Sequence, residues 1–314
     1  MSDLWGELGK QLADRWLSLL VLPGVLYLAV AAAAHILEDQ HPFDVELLAR
    51  KVTAEAKEPV VTSVGGQILL LLVVVIAAAA TGVAAQGAGV AVERAALAVG
   101  WTQWPAPAAT AVRRWVAFRR QRWDRLDWCY ADQLQLALLP ASADRPDPAV
   151  RQAIAGRRAR ISVERPERPT WAGDRVQAAV LRIDRDHRAD LAVIWPYLER
   201  VIPDGLRTDI NDARVSVSRA ATLAGWAVLY ALLTWWWWPA APLAFAIAAA
   251  ARYRIRAGAD SYARLLETAA RLHLPALAAQ LGIAHTGPLD KDLGAAVTRH
   301  LETSLPSSGI YRSS

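Results

Sequence analysis

The densest gathering of side chains able to move a proton is the run Arg182-Ile183-Asp184-Arg185-Asp186-His187-Arg188-Ala189-Asp190. An imidazole among carboxylates suits general acid–base chemistry, because a neighbouring carboxylate orients the ring and tunes its pKa. Here Arg182, Arg185 and Arg188 alternate with Asp184, Asp186 and Asp190. Charges balanced in that way read as a salt-bridged polar face, so no catalytic residue is assigned. The remaining histidines, at 35, 41, 273, 285 and 300, are scattered, and Cys129 is the single cysteine. A Cys-rich metal site and an internal disulfide are thereby excluded. The chain has no Gly-rich phosphate loop, no His-Glu-x-x-His and no Gly-x-Ser-x-Gly. The expectation is a non-enzyme without cofactor or metal.

A second set of residues suits binding. Trp101, Trp104, Trp115, Trp123 and Trp128 interleave with Arg113, Arg114, Arg119, Arg120, Arg122 and Arg125. Indole at headgroup depth with guanidinium beside it is an interfacial pattern. Arginines close to an anionic leaflet contribute on the order of 1 kcal/mol each. Phosphates and stacked bases of a nucleic acid would suit the same mixture, and so would ordinary helix packing. The segment directly follows an apolar run, which favours lipid, and nucleic acid is not expected. The membrane-interface set is therefore Trp101, Trp104, Arg113, Arg114, Trp115, Arg119, Arg120 and Trp123, joined by Trp235, Trp236, Trp237, Trp238 and Arg252.

The elements that position these residues are apolar runs at Trp16–Ile36, Val64–Ala85, Ala221–Trp238 and Ala240–Ala251. A helix crosses a bilayer in ~20 residues and satisfies its own backbone there. The first run lacks a small-residue cleavage site and reads as a retained span, with Pro23-Gly24 as a kink. The second begins with large apolar residues and ends in Ala and Gly. Its Gly82, Gly87 and Gly89 are expected at a close helix–helix contact, within the chain or with another copy. The fourth is short before Arg252 and makes a hairpin with the third through Pro239; a re-entrant hairpin is the alternative. No ionisable residue lies deep in the first three runs, which argues against an ion-coupled transporter.

Charge sets the orientation. Residues 37–63 carry three basic and six acidic side chains, whereas residues 94–220 carry 22 Arg and 15 acidic ones. Residues 252–314 carry eight basic and five acidic side chains. Basic flanks stay cytoplasmic. The expected protein is all-α: a four-helix integral protein of the inner membrane, both termini cytoplasmic, with a helical cytoplasmic lobe between spans two and three. Its parts are an amphipathic segment at 1–15, two spans with an acidic outer loop at 16–93, and an Arg-rich lobe at 94–218. A hairpin at 219–256, cytoplasmic helices at 257–304 and a disordered tail at 305–314 complete it. A helix is expected over Val45–Ala56, and another from near Asp204 towards the third span.

Pro169-Thr170, Gly173, Ala178, Asp190, Trp195-Pro196, Leu198 and Pro203, with SYARLLETAARLHLPALAAQLG further on, resemble a family of uncharacterised bacterial multi-pass membrane proteins. The likeness covers about two thirds of the chain. Asp174 stands where that family often has Asn, and DRDHRAD replaces a stretch containing Tyr and Gly. The resemblance implies the architecture and leaves the activity open. Two functions fit. One is a membrane-anchored scaffold whose partners are the bilayer, its anionic lipids and a cytoplasmic protein. The alternative is a homo-oligomeric pore, a channel or a permeabilising effector, triggered through the cytoplasmic lobe.

Overall fold

The computed structural model describes residues 21–37, 39, 42–57, 63–98, 100–138, 147–285 and 287–304. The segment 1–15, the first residues of the Trp16–Ile36 run, most of the loop PASADRPDP and the tail 305–314 lie outside the described residues. Ten α-helices and no strand occur among the described residues. In chain order they are α1 (Leu22–Leu37), α2 (Val45–Glu55), α3 (Val64–Leu97), α4 (Ala106–Leu138), α5 (Pro148–Ile161), α6 (Trp171–His187), α7 (Leu191–Val201), α8 (Asp204–Leu233), α9 (Ala240–Gln280) and α10 (Lys291–Ser304). A 3₁₀ turn, Trp101–Gln103, precedes α4 and opens from Gly100 in the left-handed region.

Two of these helices, α3 and α8, are long and apolar enough to cross a membrane. The described part of α1 is apolar but 16 residues long, and α9 does not meet the same standard. Helix α9 runs unbroken from Ala240 to Gln280, so the expected boundary between 256 and 257 falls inside a helix. The sequence there offers no stop: Gly258 is accommodated in the helix, and Pro275 lies within it.

The chain divides into two compact units. The first comprises residues 1–93 and 218–254 and the second residues 94–217 and 255–314. In the first unit, small residues let backbones touch. A Cβ on Gly225 of α8 would lie 2.1 Å from the Ala85 carbonyl oxygen of α3. One on Gly89 of α3 would lie 2.7 Å from the Thr222 Cα, and one on Gly24 of α1 would lie 2.2 Å from the Ala78 oxygen. Tyr27 sets its ring edge-on against Tyr230 at 5.2 Å. Ala34, Leu233 and Ala240 form a small buried cluster covered by Val30, Ala31 and Trp237. The Trp237 indole N–H donates to the Pro42 carbonyl (3.3 Å), and the Trp238 amide donates to Asp39 (2.8 Å).

The second unit has a larger apolar core, built from Ile183, Leu191, Ile194, Leu198, Ile202, Leu266, Leu274, Leu277, Leu293, Val297 and Leu301. These come from α6, α7, α9 and α10 at helical spacing. Local chemistry starts α6, α7 and α10: Thr170 Oγ1 accepts from the Gly173 amide, Asp190 from that of Ala192, and Asp290 from that of Leu293. The motif residues Thr170 and Asp190 are thus helix caps. Gly294 admits α10 against the end of α6, since a Cβ there would meet the His187 carbonyl at 2.0 Å.

Candidate anion-binding site

The site is built on α4 and α5 in the second unit. Between α5 and α6 the chain reads Ser162-Val-Glu-Arg-Pro-Glu-Arg-Pro-Thr170, and Pro166 and Pro169 keep it out of a helix. Its backbone carbonyls therefore need donors from elsewhere. One face of α4 supplies them, at positions 115, 119, 120 and 123. The Trp115 indole N–H donates to Pro169 O (3.0 Å), Arg120 Nε to Pro166 O (2.7 Å) and the Trp123 indole N–H to Ser162 O (3.1 Å). Arg119 donates to Ile161 O (2.6 Å) and also to Arg168 O. Asp124 on the same face pairs with Arg165 through two bonds, at 2.9 and 3.0 Å.

Arg119 departs from the interfacial reading. It is only 7% exposed, and its guanidinium lies 2.8 Å from the carboxylate of Asp174, itself 4% exposed. The other Asp174 oxygen accepts the amides of Glu167 (2.9 Å) and Arg168 (2.7 Å). A guanidinium this enclosed cannot serve as a headgroup contact; it holds the 162–170 segment to α4. Burial pushes the Asp174 carboxyl above the ordinary carboxylate range, against the opposing pull of Arg119 and the two amides. Burial likewise lowers Arg168, which donates to Leu97 O and Gln177. Arg120 and Trp123 are half-buried, and Trp115 keeps an exposed ring.

The other expected interface residues are at the surface. Arg113, Arg114, Trp235, Trp236, Trp238 and Arg252 are exposed, while Trp101, Trp104 and Trp237 are half-buried. Gly82 is buried, Gly89 packs on Thr222, and Gly87 faces open space.

The sequence reading missed a matched pair of pentads. Arg122-Trp-Asp-Arg125-Leu126 on α4 and Arg157-Arg-Ala-Arg160-Ile161 on α5 share the pattern Arg-x-x-Arg-aliphatic. That spacing puts the three named positions of each pentad on one helix face. The two faces line one groove with a volume of about 530 Å³. Arg158 fastens the helices together: it pairs with Asp127 and stacks over the rings of Trp123 (5.4 Å) and Tyr130 (4.8 Å). Among the described residues, none of Arg122, Arg125, Arg157 and Arg160 forms an ion pair. The lining carries no carboxylate.

The His187 cluster is arranged differently from an acid–base site. Asp186 pairs with Arg271 (3.2 Å) and Arg185 (3.6 Å), and Asp190 caps α7. His187 Nδ1 is buried with no hydrogen-bond partner among the described residues. Burial, then the charge of Arg271, hold the imidazole below its ordinary pKa. Nearby, Arg175 joins Asp260 (2.7 Å) and Glu267 (2.9 Å), tying α6 to α9. No group of three His, Cys, Asp or Glu side chains is placed to hold a metal among the described residues. A second cavity, about 310 Å³, has Arg207 and Glu199 in its wall; Arg207 is already bonded to Asp204 and to the Glu199 and Ile202 carbonyls.

No protein-family model, curated protein or solved structure matches this chain.

Proposed function

We propose that the chain is a non-enzymatic membrane anchor, held in an inner membrane with both termini cytoplasmic, whose basic unit recruits an anionic cytoplasmic partner. One observation carries the membrane part. Nine consecutive residues of α3, Ile68 to Ile76, are all large and apolar and stay 37–67% exposed. Nine helical residues point in every direction around the axis. None of these side chains is therefore buried by the rest of the described chain. Leaving so much apolar surface in water would cost on the order of 10 kcal/mol, comparable with the whole stability of a domain. Lipid removes that cost. The recruiting function rests on the basic residues of the second unit that no carboxylate neutralises. In this reading Arg113, Arg114 and Arg252 face anionic headgroups, and the α1 and α9 runs complete four spans.

The test is site-directed labelling in intact and permeabilised cells after Cys129→Ala. A cysteine at Lys57 should react with an impermeant maleimide from outside, and one at Ser261 only after permeabilisation. Labelling of position 261 from outside would refute the topology. Release of the protein from membranes by alkaline carbonate would refute the anchor.

A pore built from several copies is the second reading. Gln86 and Gly87, a polar and a small residue within an apolar helix, both face open space, and a helix from another copy would bond the amide. Conductance of the purified protein across planar bilayers distinguishes the two.

A further inference from the structure

We infer that the groove between α4 and α5 is a binding site for a compact, multiply phosphorylated anion. Four guanidinium groups, Arg122, Arg125, Arg157 and Arg160, line it with Leu126 and Ile161. No acidic side chain contributes to the lining. Their neighbours Arg119 and Arg158 are engaged with Asp174 and Asp127, and Asp124 of α4 is taken by Arg165 of the 162–170 segment. The groove thus brings together four arginines that no carboxylate pairs among the described residues. Its volume lies within the ~300–1,000 Å³ of small-molecule sites. Arginine donates in a planar fork that matches phosphate oxygens two at a time, and four such forks favour several linked phosphates over one. The two aliphatic side chains give a non-phosphate part of the ligand somewhere to rest.

Arg125 donates to the Gln121 carbonyl and Arg122 lies over the Phe118 ring, but like charges converging without a counter-charge repel one another, and a bound polyanion reverses that repulsion. The helices are already fixed by the Arg158 contacts with Asp127, Trp123 and Tyr130, so binding need not order the backbone. The same chemistry can come from a soluble oligophosphate or from the phosphorylated headgroup of a lipid. The inference rests on the anchor reading only for the side of the membrane on which the groove opens.

The test uses the full chain in nanodiscs, titrated calorimetrically with inorganic tripolyphosphate. In discs of zwitterionic lipid we expect saturable binding of one tripolyphosphate per chain, weakened at least tenfold in R122Q/R157Q. R264Q, which alters an exposed arginine of α9 already paired with Asp260 and outside the groove, should bind as the parent does. Discs containing a phosphatidylinositol bisphosphate separate the sources. Unchanged tripolyphosphate affinity there assigns the groove to a soluble ligand, and competition that R122Q/R157Q abolishes assigns it to the headgroup. No binding by the parent chain in zwitterionic discs overturns the inference whether or not a variant folds, and so does equal binding by R122Q/R157Q. Binding by a chain that carbonate strips from membranes would leave this inference standing and remove the anchor.

Discussion

Replacing Gly225 by Ala and Gly87 by Ala should move stability in opposite directions, although both glycines lie in long apolar helices. The added Cβ at 225 would sit 2.1 Å from the Ala85 oxygen and 2.8 Å from the Gly89 nitrogen. Ordinary contact begins near 3.4 Å, so α3 and α8 must separate by about 1.3 Å at that point. Both opposing atoms are backbone and cannot rotate away. Overpacking of this kind typically costs about 1–3 kcal/mol, which outweighs the ~1 kcal/mol by which Ala is the better helix former. At Gly87 a Cβ meets nothing within 4 Å, so only the favourable propensity of up to ~1 kcal/mol remains. Denaturation of the purified variants in detergent, followed by circular dichroism and Trp fluorescence, should place them in the order Gly87→Ala, parent, Gly225→Ala. A Gly225→Ala protein as stable as its parent would show that the backbones do not touch as described. A destabilised Gly87→Ala would show that this face has a covering partner, which favours the oligomer.

Arg119→Met should cost roughly 3–5 kcal/mol in the same assay, because it leaves Asp174 buried without its counter-charge; a loss below 1 kcal/mol would refute the strapping role given to Arg119. Acid should weaken the second unit through His187. Its folded pKa is depressed, so stability is full above the unfolded value of ~6.5 and is lost as pH falls below it, when the unfolded chain takes up a proton that the folded one resists. His187→Asn should flatten that part of the stability–pH curve, and an unchanged slope between pH 7 and 5 would refute the assignment.

The helices were legible where one period dominated. The starts of α2 and α8 fall at Val45 and Asp204, as the pattern of acidic residues and turn signals requires. The Arg/Trp stretch was legible as basic and aromatic but not as two-sided. Arg119 and Arg122 lie three residues apart, yet one is buried under the 162–170 segment and the other opens into a groove. Which face turned inward depended on where a proline-bearing segment 40 residues away in sequence needed donors, and no local pattern in α4 records that. The groove left a readable trace in its repeated Arg-x-x-Arg-aliphatic pentads. It was hidden because one pentad lies in a tryptophan-rich segment and the other in an unremarkable basic run. The continuity of α9 is not legible for a different reason: the run turns from apolar to charged after Ala251, and no local signal says that one helix continues across that change to Gln280.

The glycine contacts between α3 and α8 also restrict how this helix pair can move. Gly225 rests on Ala85 and Gly89 on Thr222, two points one turn apart on antiparallel helices. A slide of α8 by about one turn, roughly 5.4 Å along the axis, would bring Ala221 or Leu229, four residues from Gly225 on the same face, to a position where only a hydrogen atom fits. The pair behaves as a keyed joint: it resists a piston stroke along the helix axes and leaves rocking about the glycine contacts as the low-cost motion.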